Sequence, residues 1–349
     1  MKKKLSLLLV SVVLVLTLCL GLVGCSTPVD SETSLTIGAP EGAPSLSLLK
    51  TIENGVEGID NLTIDISTPN LIVSQINSDK YDMMILPTNV AYAKGFIGRK
   101  DNDPYVMVAT ATYGNLYLVS PKTDATAIKI DDLKGALVYS IGQNAIPHKV
   151  FEYVASKNNL ELNIITDTTK RDAEKINVIF AADGPTVMTA VAGTKETNVY
   201  GLLGEPAVTA SKVKYGLTNV FDIQAAFAAV QNQETVKGFP QAVLICKKSL
   251  VESNPALVKA VINQLKATEE YIKTATMDQK KAIAGIINSN KYRPEGAAEG
   301  KTGFPPKALP KCGVHVLSAT EAKAETVNLL KEVIGLKAVS NDFFAVLAD

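Results

Sequence analysis

Four cysteines, two histidines and a recurring set of serine, threonine and asparagine residues are the reactive inventory of this 349-residue chain. Nucleophilic catalysis needs a thiol or hydroxyl beside a base. Two pairings offer themselves: Cys312 with His315, and Ser45 or Ser140 with His148. The stretch Cys312-Gly313-Val314-His315 alternates in polarity, which places His315 on a strand face rather than in a catalytic pair. His148 directly follows Pro147 at a predicted helix start, the ordinary place for a solvated or rim imidazole. The two histidines stand far apart and nothing has metal-ligand spacing, so no metal or cofactor is expected.

The other available chemistry is non-covalent. A strand run ends, small or polar residues follow, and a proline or capping residue opens a helix. This happens at Glu41-Gly42-Ala43-Pro44-Ser45, Ser67-Thr68-Pro69-Asn70 and Pro87-Thr88-Asn89. It returns at Gly142-Gln143-Asn144-Ala145-Ile146-Pro147, Asp183-Gly184-Pro185-Thr186 and Gly204-Glu205-Pro206. Proline suits the first helical turn, where its missing N–H has no partner to lose, and Ser, Thr, Asn and Asp cap the free N–H groups. Free N–H groups and the helix dipole favour anions without any arginine. In an open parallel sheet these junctions share one edge, where ligands bind. Each alone is a good strand-to-helix turn, which is how Pro69 and Pro185 read. Several in each half of the chain predict two facing lobes with a ligand between them.

The elements that must hold these junctions alternate as βα units, the pattern of a parallel sheet. Strands are predicted at 35–37, 62–66, 81–86, 105–109 and 116–119, with helices at 44–53, 69–77 and 88–94. Asn54-Gly55 closes the first helix. Further strands fall at 136–139, 163–166, 177–180, 199–203 and 242–246. Helices follow at 146–156, 185–191, from 206, at 255–274 and at 320–333. Residues 292–313, rich in Gly, Pro and Lys, read as an irregular loop.

Lys2-Lys3-Lys4, an apolar run from Leu5 to Leu22 and a small-residue exit make residues 1–24 a secretory signal peptide. Leu22-Val23-Gly24-Cys25 resembles a bacterial lipobox, which implies that Cys25 is lipidated and that the chain works on the extracytoplasmic face of a membrane. An ordinary signal peptide or an uncleaved anchor helix is the alternative. Residues 25–34 are polar and read as a flexible tether. Removing residues 1–24 takes three lysines from a neutral chain, so the charge becomes −3. That argues against a nucleic-acid partner, which requires a clustered positive surface. Cys246 lies in the apolar run Ala242-Val243-Leu244-Ile245 and reads as a buried thiol. An oxidising compartment also permits a Cys246–Cys312 disulfide.

Met83-Met84-Ile85-Leu86-Pro87-Thr88-Asn89-Val90-Ala91 resembles the strand-to-helix segment of type 2 periplasmic binding proteins of the nitrate/sulfonate/taurine and thiamine-precursor group. Gly204-Glu205-Pro206-Ala207-Val208-Thr209-Ala210 resembles the second-lobe segment of that family, and Phe239-Pro240-Gln241-Ala242-Val243-Leu244 its return strand. Leu309-Pro310-Lys311-Cys312, the helix around Glu321 and Asp342-Phe343-Phe344 resemble its C-terminal segment. The ordered set spans most of the mature chain. Lack of tryptophan and the 292–313 loop depart from the family and leave the ligand open.

The resemblance implies an α/β fold of two lobes, each a mostly parallel sheet flanked by helices, with a cleft between them. Lobe 1 would comprise 35–119 and 223–349, lobe 2 would comprise 120–222, and the chain would cross at 113–120 and 219–229. It implies a monomeric, lipid-anchored solute receptor that delivers to an ABC permease. Pro44, Ser45, Thr88 and Asn89 would contact ligand from lobe 1, with Tyr113 and Gly114 near the hinge. Gln143, Asn144 and Glu205 would do so from lobe 2, and Gln241 from the return strand. Ser45, Thr88 and Asn89 would donate hydrogen bonds, and Tyr113 would supply a stacking wall. Glu205 would either meet a cationic or amine-bearing group or brace its own turn. The solute would be a sulfonate-, nitrate- or taurine-like anion or a pyrimidine thiamine precursor. The alternative is an enzyme on the same fold, a thiaminase-like transferase, a pyrimidine synthase or a chorismate-type dehydratase, although the cysteine cluster of a pyrimidine synthase is missing. A structural or adhesive lipoprotein would need repeats or low-complexity stalks, which the sequence lacks.

Overall fold

In the computed structural model, residues 33–122, 126–234, 238–289 and 304–347 are described. The signal segment, Cys25, most of the predicted tether and the 292–313 loop up to residue 303 lie outside them. Two sheets organise the described residues. The first has the order β2-β1-β3-β11-β4, formed by β1 (Ser34–Pro40), β2 (Asn61–Ser67), β3 (Met83–Pro87), β4 (Tyr105–Tyr113) and β11 (Pro240–Lys247). β1 is parallel to β2 and β3, whereas β11 runs antiparallel to β3 and β4. Burial on both faces explains why β3, β4 and β11 read as nearly continuous apolar runs.

The second sheet has the order β10-β5-β9-β6-β8-β7. Its members are β5 (Leu116–Ser120), β6 (Leu137–Ser140), β7 (Leu162–Ile164), β8 (Ile176–Phe180), β9 (Val199–Gly204) and β10 (Thr218–Asp222). β6, β7, β8 and β9 pair in parallel, and β5 pairs antiparallel with β9 and β10. Both sheets are therefore mixed: parallel within βα units, antiparallel where the chain enters or leaves.

Helices open where the pattern places them. α1 (Ala43–Leu46) and α2 (Leu49–Asn54) follow β1, and Gly55 ends α2 at φ 68°. α3 (Pro69–Ser74) follows β2, and α4 (Thr88–Val90) follows β3 and runs on as a π-helical turn, Ala91–Phe96. In the second lobe α5 (Ile146–Lys157), α6 (Gly184–Gly193) and α7 (Ala207–Tyr215) follow β6, β8 and β9. α8 (Ile223–Val230) follows β10. α9 (Lys248–Ser253), α10 (Pro255–Thr274) and α11 (Met277–Asn288) return to the first lobe, and α12 (Ala319–Asn328) comes near the C-terminal end. α10 buries Leu257, Val258, Val261, Ile262 and Leu265 along one stripe, the helical period that made it legible.

Two predicted boundaries need correction. Residues 116–119 belong to the second sheet, because β5 pairs with β9 and β10. Residues 219–229 are no crossing: β10 completes that sheet, and Ile223 and Phe227 of α8 pack into its core with Val150 and Phe151. The chain crosses at Gly114-Asn115 and returns at Gly238-Phe239, where Gly114 N–H donates to Phe239 O at 2.9 Å. A Cβ on Gly114 would lie 2.6 Å from the Phe239 ring, so the crossing strands touch only because residue 114 has none.

A third strand of chain joins the lobes. Bridges Thr112–Val314, Ala109–Ser318 and Met107–Phe344 run the C-terminal segment along β4. α12 then continues as a π-helical turn, Leu329–Val333, whose Leu329 and Val333 enter the second lobe's core. Cys246 lies in the first core and Cys312 in a cluster with Phe304 and Leu309; both are free thiols, so no bridge joins them.

Candidate functional site

The strand ends of the two sheets converge on one cleft. On the first-lobe side Pro44, half-buried, opens α1. Ser45 and Thr88 are fully buried, and their hydroxyls are already committed: Ser45 Oγ donates to Gly42 O at 2.9 Å and Thr88 Oγ1 to Pro240 O at 2.6 Å. A hydroxyl has one proton to give, so both brace the cleft wall here instead of donating into it. Asn89 reaches across: its Nδ2 donates to Asn144 O of the second lobe at 3.3 Å. Its Oδ1 is enclosed without a partner among the described residues.

On the second-lobe side Ser140 and Phe180 are register partners at the ends of β6 and β8. The following turn carries two left-handed residues, Gly142 at φ 68° and Asn144 at φ 65°, glycine and asparagine being suited to that conformation. Gln143 and Asn144 are exposed. Asn144 N–H donates to His148 Nδ1 at 2.9 Å, which leaves the proton of the neutral ring on Nε2. That Nε2 is buried with no partner among the described residues, in a residue 4% exposed. Burial pushes the imidazole pKa down from its ordinary value, and the ring sits edge-on to Phe180, centroids 4.9 Å apart. A buried donor left unpaired costs about 1–3 kcal/mol, so this one calls for an acceptor.

The floor is built around Asn115, which is 1% exposed. Its Nδ2 donates to Cys312 O at 2.9 Å and to Glu205 O at 3.4 Å, tying three segments together. Its Oδ1 accepts from Gln241 Nε2 at 3.3 Å, and Gln241 Oε1 is enclosed without a partner among the described residues. Glu205 braces its own turn: its carboxylate accepts from Thr209 N–H and Thr209 Oγ1, both at 2.9 Å. Burial pushes its pKa up, while the Thr209 bonds and the Lys311 charge oppose the shift.

Tyr113 and Gly114 serve the crossing. The Tyr113 hydroxyl donates to Glu325 Oε2 at 2.7 Å and its ring meets His315 edge-on at 4.7 Å, so it is no stacking wall. Burial, with the Glu325 hydrogen bond, pushes that hydroxyl's pKa up. Neither nucleophile–base pair is assembled. Ser140 Oγ donates to Ile141 O, Cys312 Sγ to Ala308 O, and His315 Nδ1 lies 2.9 Å from Glu269 Oε1. Among the described residues no group of three or more His, Cys, Asp and Glu side chains could hold a metal ion, and no helix is long and apolar enough to cross a membrane. Phe180 and Asn115 escaped sequence reasoning as cleft residues, and His148 is read there only as a solvated or rim imidazole. The Asn144-to-His148 spacing across a helix opening was the one local signal for His148.

No protein-family model matches the chain and no curated protein matches it in sequence. Solved structures do match in shape. An ABC transporter from Parabacteroides distasonis has a TM-score of 0.65 at 17% identity, over 90% of this chain and 99% of that one. The alkanesulfonate-binding protein SsuA from Xanthomonas axonopodis pv. citri, bound to MOPS, has a TM-score of 0.57 at 14% identity, over 88% and 95%. The Candida albicans CA3427 gene product, described as having the generic periplasmic binding protein fold, has a TM-score of 0.55 at 9% identity, over 89% and 93%. The chain has that fold: two mixed α/β sheets flanked by helices.

Proposed function

We propose that this chain is an extracytoplasmic solute-binding receptor of an ABC importer. It would act as a monomer, held at the membrane by lipid on Cys25, and deliver a small organic solute to its permease. One observation carries the reading. Two α/β lobes joined by adjacent crossings bring Asn89, His148 and Gln241 to where the lobes meet, and Asn89 Oδ1, Gln241 Oε1 and His148 Nε2 are enclosed without partners among the described residues. The shape shared with an ABC transporter and an alkanesulfonate-binding protein supports it. A hinge of this kind confines φ/ψ change to a few residues, and closure around solute presents the permease with a different surface. Unassembled nucleophile–base pairs favour binding over the enzyme alternative. Within this reading Pro44, Asn89, Asn144 and Gln241 line the pocket, with Ser45, Thr88 and Glu205 shaping its walls.

A thermal-shift screen of residues 31–349 against sulfonates, taurine, nitrate and pyrimidines tests the function. Solute at a hundredfold excess over its Kd should stabilise by about 2.7 kcal/mol. Asn89→Ala should reduce that shift. Turnover of a substrate with no solute moving the melt would sink the receptor reading. Lipidation is tested separately: Cys25→Ser should move the protein from the membrane fraction to the soluble one.

A further inference from the structure

We infer that His148 is a positioning residue for lobe closure: its neutral ring holds a latch between the lobes, and acid releases it. The inference rests on the receptor reading, in which closure grips the solute. Asn144 O is the second-lobe end of the latch and accepts from Asn89 Nδ2 of the first lobe at 3.3 Å. Asn144 stands in the left-handed region at φ 65°, which a residue with a Cβ occupies at a cost. Its support is His148 Nδ1, which accepts the Asn144 N–H at 2.9 Å. The ring is held in turn against Phe180, edge-on at 4.9 Å between centroids. Gly42 also faces Pro206 across the cleft, where an added Cβ would lie 3.9 Å from Pro206 Cδ. Nothing in that second contact titrates.

An imidazolium carries an N–H on both nitrogens, so neither ring orientation can accept from Asn144. Protonation therefore sets two N–H groups face to face, and the turn must move, taking Asn144 O away from Asn89. Nε2 offers the cation no compensation, being enclosed without a partner among the described residues. Burial holds the imidazole pKa down, with Glu152 favouring the charged form and Lys149 opposing it, both on α5 itself. The turn 141–145, β8, α4 and α8 bring no charged side chain to the ring. The Leu329–Val333 turn brings Lys331 and Glu332, and Glu332 acts on Tyr153 at the other end of α5. The latch is thus whole above the ordinary imidazole range and is lost as pH falls through the depressed value. One such hydrogen bond biases the lobes toward closure by roughly two- to tenfold. Apparent affinity for solute falls with the closed fraction.

Residues 34–349 form one compact unit, so residues 31–349 carry the whole latch. Spin labels at Leu71→Cys and Val213→Cys, exposed positions on opposite lobes, report lobe separation without any solute. Cys246 and Cys312 are buried and stay unlabelled. From about pH 7.5 to about pH 4.5 the open-to-closed ratio of the parent should rise roughly two- to tenfold. His148→Asn keeps an acceptor at the Nδ1 position but no group that titrates in this range, so it should stay closed throughout. Asn89→Ala removes the first-lobe end of the latch and leaves the His148 turn untouched, so it should show the acid distribution at both ends. A parent distribution that does not change with pH overturns the inference. So does a His148→Asn protein that keeps the parent's pH profile, which would place the titration on another group such as Glu205. An Asn89→Ala protein that keeps that profile overturns it as well. The receptor reading survives all three results, because it stands or falls on the solute screen.

Discussion

At the scale of single residues, Glu269 is the most strongly perturbed carboxylate on the hinge side of the molecule. Burial works to raise its pKa, but bonds from His315, Lys273 and Val316 N–H hold it down to about 2. A carboxyl depressed from 4.5 contributes stability above that value and loses it as pH falls toward 2. Glu269→Gln should therefore be less stable than the parent by about 1–3 kcal/mol at pH 7. Urea unfolding at stepped pH should show the gap closing between roughly pH 5 and pH 2; a gap independent of pH would exclude the ionised form as its source. The buried thiols make a second case. Burial pushes Cys246 and Cys312 up from the ordinary thiol pKa, so neither should react with a thiol reagent in native residues 31–349. Both should react after denaturation, whereas a bridged pair would stay silent until reduced. Polar residues at helix openings were legible in the sequence, but what each would do there was not. Whether Ser45 and Thr88 donate outward or into the wall depends on the carbonyls of Gly42 and Pro240, and Pro240 is distant from Thr88 in the chain.

Among elements, those with a strong local period were read well. The α10 prediction of 255–274 coincides with Pro255–Thr274, whose apolar stripe and opening proline mark it at both levels. α8 was missed. β10 folds back antiparallel beside β5, and that pairing leaves no trace in the short Ala-rich run of residues 223–230 that follows it as α8. The crossing segment depends on positions where a side chain does not fit. Gly313 has φ +67°, and a Cβ there would lie 2.5 Å from Tyr113 O. Gly313→Ala should destabilise the protein by about 1–3 kcal/mol through left-handed strain and that clash. A melting temperature within error of the parent would mean that the segment can shift away from β4.

For the whole molecule, the alternation of short strands and helices was enough to anticipate two α/β lobes. Their exact seams were not, because seams are fixed by long-range pairing. Leu329 shows how the seam is held: it lies on the C-terminal helical segment yet is 1% exposed within the second lobe's core. Leu329→Ala should cost about 2–5 kcal/mol. Because it removes a contact that couples the lobes, denaturation followed by separate reporters in each lobe should lose coincidence. Coincident curves with an unchanged midpoint would show that the crossings alone hold the lobes together.

The contact between Gly114 N–H and Phe239 O has a consequence for how such a chain can be cut and rejoined. Among the described residues, the strands and helices between them are those of the second sheet and its flanks, and the chain leaves and re-enters the first lobe at neighbouring points. The second lobe is therefore a cassette spliced into the first. Excising it would leave ends close enough for a short graft, and the freed piece would have ends close enough to be made circular. Modules with adjoining ends can be exchanged between hosts, here provided that the seat of Leu329 and Val333 in the second lobe's core is carried over.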